Sequence, residues 1–456
     1  MTADLVVHGG QVVYGDAVIE DAGVAIKDGL IVATGPTGTL PEAQEMVDVD
    51  GDYILPGLID PHVHFREPGL TDREDFGTGS TAAAMGGMTA VFDMPNTKPA
   101  TATGELVEAK RDLVGAKALV DFGLYGLVAQ DNLNAISGMA DAGVIAFKFY
   151  LHQAMSGHEP CDDGALLEGF ERVAETGMIA AVHCENRHII RRRTEQLKEQ
   201  GRHDAAANLE ARPDVSESEM VERCISYARA AGTRLHICHA TSARTVELVR
   251  EAKRRGQAVT AETGPQWLYF TQEDVVEKGT ILFFSPPFRD DHDRQALWEG
   301  VADGTLDYIA SDHAPRHDRE KHCCSVWDCV SGFPGVETSA VLLLTAVSEG
   351  RIDLPTYAKA ASERAARTFG LWPRKGSLVP GTDGDVTVVT LDAHETIDAA
   401  RLHSRVVVTP YDGQAVTARV RLTIIGGRIV VRDGELVVAP PGGQDLGLPA
   451  TRLAAV

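Results

Sequence analysis

No apolar stretch of this 456-residue sequence reaches the roughly 18 residues that a membrane-spanning helix requires. Its opening, MTADLVVHGGQVVYGD, has no basic segment followed by a continuous apolar core, so neither a membrane span nor an export signal is expected. Basic residues are scarce too: 43 Lys and Arg stand against 66 Asp and Glu, a formal net charge of −23, which excludes a general nucleic-acid binder. Cysteine is sparse and dispersed. Cys161, Cys184, Cys224, Cys238, Cys323, Cys324 and Cys329 are odd in number and lack the dense spacing of a disulfide scaffold, which points to a reducing, cytoplasmic setting. The stretch holding His322, Cys323, Cys324 and Cys329 has no CxxC pair and reads as a loop. A Gly-rich dinucleotide fingerprint after the first buried strand is also missing, so a nicotinamide fold loses support. With 44% hydrophobic and 24% charged residues the composition is that of an ordinary globular protein.

Both ends of the chain are β-rich. Short β-branched runs separated by turn dipeptides occupy the first 55 residues (DLVVHGG, QVVYGDAVIE, GVAIKDGLIVATG) and return in GDVTVVTL and TARVRLTIIGGRIVVRDGELVV. One small β-domain, a sandwich composed of residues 1–55 and 374–456, is expected. Between the ends, apolar runs alternate with helical stretches: ILPGLID, TAVFDM, ALVDFGLYG, GVIAFKFY, MIAAVHC, RLHICHA, AVTAET and LDYIASD. Eight βα units over residues 56–373 predict an α/β fold of the TIM (β/α)8 type rather than an open doubly wound sheet.

In such a barrel the reactive side chains belong at the carboxyl ends of strands. Those positions are polar here: His62 and His64 after the first run, Lys148 in the fourth, His183 ending the fifth, His239 the sixth and Asp312 the eighth. Histidines two apart on a strand face the same side, so His62 and His64 can grip one metal. A single strand-end histidine is commonly structural. Four with an aspartate, at the ends of four separate strands, form a costly buried cluster unless cations or hydrogen bonds compensate. Lys148 lies in the apolar run VIAFKFYL, where a free ammonium is expensive. A neutral amine there can capture carbon dioxide, and the carbamate has two anionic oxygens able to bridge two cations.

The motifs DPHVHFREPG, FKFY, VHCEN, HICHATS, ETGPQWL, SPPFRD and ASDHAP, in that order, resemble the cyclic amidohydrolase branch of the amidohydrolase superfamily: dihydroorotases, allantoinases, hydantoinases and dihydropyrimidinases. The resemblance spans essentially the whole chain. It implies two divalent metal ions, zinc first and manganese or cobalt as alternatives, with His62, His64 and Asp312 on the buried ion, His183 and His239 on the other, and Lys148 bridging them as N6-carboxylysine. It further implies hydrolytic opening of a cyclic amide, a small-molecule substrate, by a metal-bridging hydroxide, with Asp312 as catalytic base and then acid. A homodimer or homotetramer is the oligomer it suggests.

For the substrate, Arg66 and Asn96 match positions that hold a carboxylate in dihydroorotases, and an arginine fork suits that group. A structural ion pair from Arg66 to Glu67, Asp72 or Glu74, and a turn role for Asn96, are the plain alternatives. Arg316 stands where dihydroorotases have a histidine; it can pair with a carboxylate or belong to the loop surface. Ser285, ETGPQWL and SPPFRD lean toward hydantoinases and allantoinases, whereas Gln153 replaces the tyrosine typical of D-hydantoinases. Tyr150 reads as barrel packing, and Gly332 as a backbone contact to substrate. Segments 157–164 and 316–331 are the expected covers of the site. A dihydroorotase-like activity leads, with hydantoinase or allantoinase activity as the alternative. A noncatalytic scaffold relative is the alternative from another class, and a metal-dependent dipeptidase a third reading.

Overall fold

The computed structural model describes residues 2–447. Apolar runs buried on both faces need a sheet covered on both sides, and a barrel ringed by helices supplies one. The runs form eight parallel strands: β1 (Leu58–Val63), β2 (Met88–Asp93), β3 (Asp121–Val128), β4 (Ala146–Tyr150), β5 (Ile179–His183), β6 (Arg234–Ile237), β7 (Val259–Thr263) and β8 (Tyr308–Ile309). They pair in sequence order, and an isolated parallel bridge from Val63 to His313, in the segment just after the last strand, brings the two ends of the sheet together. Helices start at short polar side chains that accept orphan backbone N–H groups, as Asp162, Ser242 and Asp290 do. Among the described residues no helix is long and apolar enough to cross a membrane.

A nine-stranded sheet draws five strands from the first 56 residues and four from beyond residue 385. The sequence run ILPGLID, read as one strand, is two: Tyr53–Pro56 pairs with Val386–Thr390 in this terminal sheet, and β1 begins at Leu58. Both halves are buried, so the apolar pattern carries no mark of the switch. Gly57 between them permits it, because a Cβ there would lie 2.4 Å from Thr89 Oγ1 and 2.8 Å from Asp385 Cβ. Two segments beyond residue 374 pack on the barrel instead of the terminal sheet. Tyr411 stacks on Phe270 at 5.4 Å, and Phe122 in β3 exchanges backbone hydrogen bonds with Gln444 and Leu446.

Lys375 ties the sheet to the barrel. Its buried ammonium pairs with Asp121 at the start of β3, with Asp383 at 2.9 Å and with Asp385 at 2.5 Å. Burial pushes the Asp385 carboxyl up to about 6 from its ordinary 3.8, although Lys375 pulls the other way. A carboxyl raised on folding favours the folded state at low pH, and this contribution is lost as pH rises through about 6. Lys375→Met is therefore expected to lower unfolding free energy by about 3–5 kcal/mol at pH 8, and by less at pH 5, where Asp385 is protonated. Urea unfolding at the two pH values checks this; a pH-independent loss below about 1 kcal/mol, the range of an exposed pair, would contradict it.

Candidate functional site

The strand order brings the five sequence-predicted imidazole and carboxylate groups to one end of the barrel. Ligand atoms of His62, His239 and Asp312 lie within 4.8 Å of one another. His64 Nε2 is 3.0 Å from Asp312 Oδ1, and the rings of His183 and His239 are 4.5 Å apart. Lys148 is fully buried in β4, and its Nζ contacts Cys238 Sγ at 2.8 Å.

Three histidines are oriented by partners on their far nitrogens. His62 Nδ1 donates to Glu262 of β7, His64 Nδ1 to Asn96 Oδ1 at 2.7 Å, and His183 Nε2 to Glu185 Oε2 at 2.7 Å. Arg212 in turn holds Glu185 at 2.5 Å. The sequence reading missed Glu185 and Glu262. The signal was there: each lies at a strand end inside a quoted motif, and metal-binding histidines need such outer partners. Asn96, expected on a substrate carboxylate, lines the cleft but has its carboxamide oxygen engaged by His64.

Burial pushes the His64 imidazole down to about 3, helped by Arg66, and it likewise holds His183 and His239 below their ordinary values. Burial opposes charge on His62 as well, but Glu262 and Asp312 outweigh it and lift that ring to about 10. Burial also raises the Asp312 and Glu262 carboxyls, yet the neighbouring histidines keep both below the usual range. Neutral His64 with its proton on Nδ1 turns a lone pair toward Asp312 Oδ1. Two lone-pair atoms 3.0 Å apart, and two buried carboxylates that hold positive charge on His62, describe a donor set that fits a divalent cation. His239 Nδ1 is buried without a partner among the described residues.

Arg66, Asn96, Ser285, Arg316 and Gly332 all line the same cleft as the histidines. Arg66 makes no ion pair among the described residues. Glu67 pairs with Lys117, Asp72 with His317 and Glu74 with His313, and the buried Arg66 Nε has no partner among the described residues. Arg316 donates from Nε to the Ser331 carbonyl at 2.8 Å and likewise reaches no carboxylate. Burial pushes both guanidinia below their ordinary values, Arg66 to about 10. Gly332 has φ +108°, and a Cβ there would lie 2.5 Å from Ala314 Cβ, so only glycine fits that turn. Tyr150 departs from the packing role read in sequence: it packs against Leu127, but it also lines the cleft, and its hydroxyl is buried without a partner. Of the two expected covers, 316–331 contributes Arg316 and Ser331. After β4 it is His152, Gln153 and Met155 that reach the cleft, ahead of 157–164.

Backbone strain gathers here as well. Arg66, His239 and Asp312 adopt φ of +62°, +40° and +47°, a left-handed conformation that costs non-glycine residues of order 1–3 kcal/mol each.

Residues 53–430 match the profile of the amidohydrolase family. The chain is 34% identical to the L-hydantoinase of Paenarthrobacter aurescens, over 97% of each chain. It is 36% identical to the allantoinase of Solibacter usitatus (strain Ellin6076), over 97% of this chain and 96% of that one. The solved structure of the L-hydantoinase (dihydropyrimidinase) from Arthrobacter aurescens superposes with a TM-score of 0.95 at 33% identity, over 97% of this chain and 99% of that one. With the fold, the strand-end cluster and these similarities in agreement, the chain belongs to the amidohydrolase family, in the branch that acts on cyclic amides.

Proposed function

We propose that the protein opens a cyclic ureide or imide ring by metal-dependent hydrolysis, and that the ring it prefers has a carboxylate substituent, as dihydroorotate does. The single observation that carries the substrate reading is the pair of guanidinia, Arg66 and Arg316, which line the cleft and have no carboxylate partner among the described residues. Buried Arg66 and half-buried Arg316 repel each other beside one cleft, and an anionic substituent between them relieves both the repulsion and the desolvation. The names of the relatives favour a second reading, in which the ring is a neutral hydantoin or allantoin and Ser285 meets its imide.

His62, His64 and Asp312 would hold one cation, zinc by preference for imidazole and carboxylate donors, and His183 and His239 a second. Lys148 would bridge them as a carbamate, which turns an unpaired buried ammonium into an anion that two cations stabilise. When bound, such ions acidify a water and polarise a carbonyl. Asp312, which lines the cleft with the histidines, takes the proton of the attacking water and returns it to the departing ring nitrogen. Glu262, Asn96 and Glu185 fix the orientations of His62, His64 and His183, so each ring would turn its other nitrogen to a bound cation, which on His62 takes the place of a proton. The product is an open-chain carbamoyl or amide acid.

The substrate test is a panel of L-dihydroorotate, hydantoin, 5-substituted hydantoins, allantoin and dihydrouracil on zinc-loaded protein. Arg66→Gln is expected to lower kcat/KM for the carboxylated ring by about 2–5 kcal/mol, the cost of unpairing a buried charge, and for neutral rings by less than about 1 kcal/mol, as for a contact not made. Equal losses on all rings would make Arg66 structural. Lys148→Ala is expected to lose both metal, by elemental analysis, and turnover, with partial recovery of both on adding short-chain carboxylic acids; full metal content without the lysine would contradict the bridging role.

A further inference from the structure

Buried polar atoms without a partner are few in a folded protein, and each calls for an explanation. Here five cluster around the cleft: Arg66 Nε, Tyr150 Oη, His152 Nδ1, Glu185 Oε1 and His239 Nδ1. Arg66, Glu185 and His239 already have a place in the site or its outer contacts, and Tyr150 packs against Leu127. His152 has no such place. It follows β4, lies stacked on His183 with ring centroids 3.7 Å apart and planes at 24°, and lines the cleft. Its ring has no hydrogen bond to any described residue.

The tautomer follows from the surroundings. Nδ1 is sealed from solvent with no acceptor in reach, so a proton on it would be an orphaned buried donor, the costlier of the two unsatisfied states. The proton therefore belongs on Nε2, the nitrogen that keeps contact with the cleft. A packing residue at this position needs neither nitrogen, and a phenyl ring would stack on His183 without the desolvation cost. We infer that His152 is a catalytic residue that acts on the substrate directly, its Nε2–H donating a hydrogen bond to the oxygen of the carbonyl under attack. The stack on His183 keeps the ring beside the histidine cluster and in the wall of the cleft, where a carbonyl under attack would sit. A donor aimed at an oxygen that gains negative charge works mainly in the transition state.

This inference rests on the ring-opening reading. The test compares wild type, H152F and H152Q as zinc-loaded protein on the best ring of the panel, with metal content and thermal midpoint measured beside kcat and KM. H152F is expected to keep its metal and to unfold at the same temperature or higher. Its kcat should fall roughly 100- to 1,000-fold with KM within about 3-fold, and H152Q, which restores an N–H donor, should recover at least about 10-fold of that loss. Full kcat in H152F on a ring that the wild type opens would overturn the inference alone. So would loss of metal in step with activity, which would make His152 a support for His183. A wild type inert toward every ring would overturn the ring-opening reading and this inference with it.

Discussion

Glu262 accepts from three directions at once: the Nδ1 of His62, the Nε2 of His236 at 3.2 Å and the backbone N–H of His239 at 3.3 Å. This one carboxylate fixes the ring of one strand-end histidine and the main chain of another, and it stands on β7, between the strands that supply them. Burial raises its carboxyl, but the two histidines outweigh this and hold it below the usual range. Its second partner, His236, is itself held in place by Tyr308 at 2.8 Å and Thr260 at 2.9 Å. The site thus rests on a polar column inside the barrel, and the column exists only because the barrel closes.

The same site concentrates what a folded protein normally avoids. Three of its residues hold left-handed backbone conformations, two guanidinia lack carboxylates, and half a dozen titratable groups are away from water. Each feature lowers stability, and the rest of the molecule offsets it with an apolar layer between barrel and helices and with the Lys375 cluster that joins barrel to terminal sheet. Such local cost is the pattern expected where geometry serves a ligand. Cations among the imidazoles and an anion between Arg66 and Arg316 would remove most of it.

Much of this was legible in sequence. The eight barrel strands read correctly because a strand buried on both faces is a short apolar run bounded by turns, and the histidines and Asp312 stood out at the ends of those runs. The division of ILPGLID between two sheets was hidden, since both halves are apolar and hydrogen-bond partners leave no trace in composition. The outer contacts were hidden for a related reason: Glu262 meets His62 across 200 positions, and no local spacing relates them. Tyr150 looked like packing and His152 drew no reading, because an unpartnered polar atom is visible only once its surroundings are known. The residues proposed to meet substrate were suggested by resemblance and all line the cleft, while the lack of an ion pair to Arg66 among the described residues emerged only when Glu67, Asp72 and Glu74 proved to be engaged elsewhere.

The central claim is that the strand-end cluster is built around cations, with Lys148 supplying an anion between them. A crystal structure of protein grown with zinc and bicarbonate, with anomalous data at the zinc edge, tests this most directly. The account predicts two anomalous peaks, one at His62, His64 and Asp312 and one at His183 and His239, with density for a carboxyl group continuing beyond Lys148 Nζ and reaching both. A single peak, or a bare lysine ammonium beside two empty histidine pairs, would contradict it.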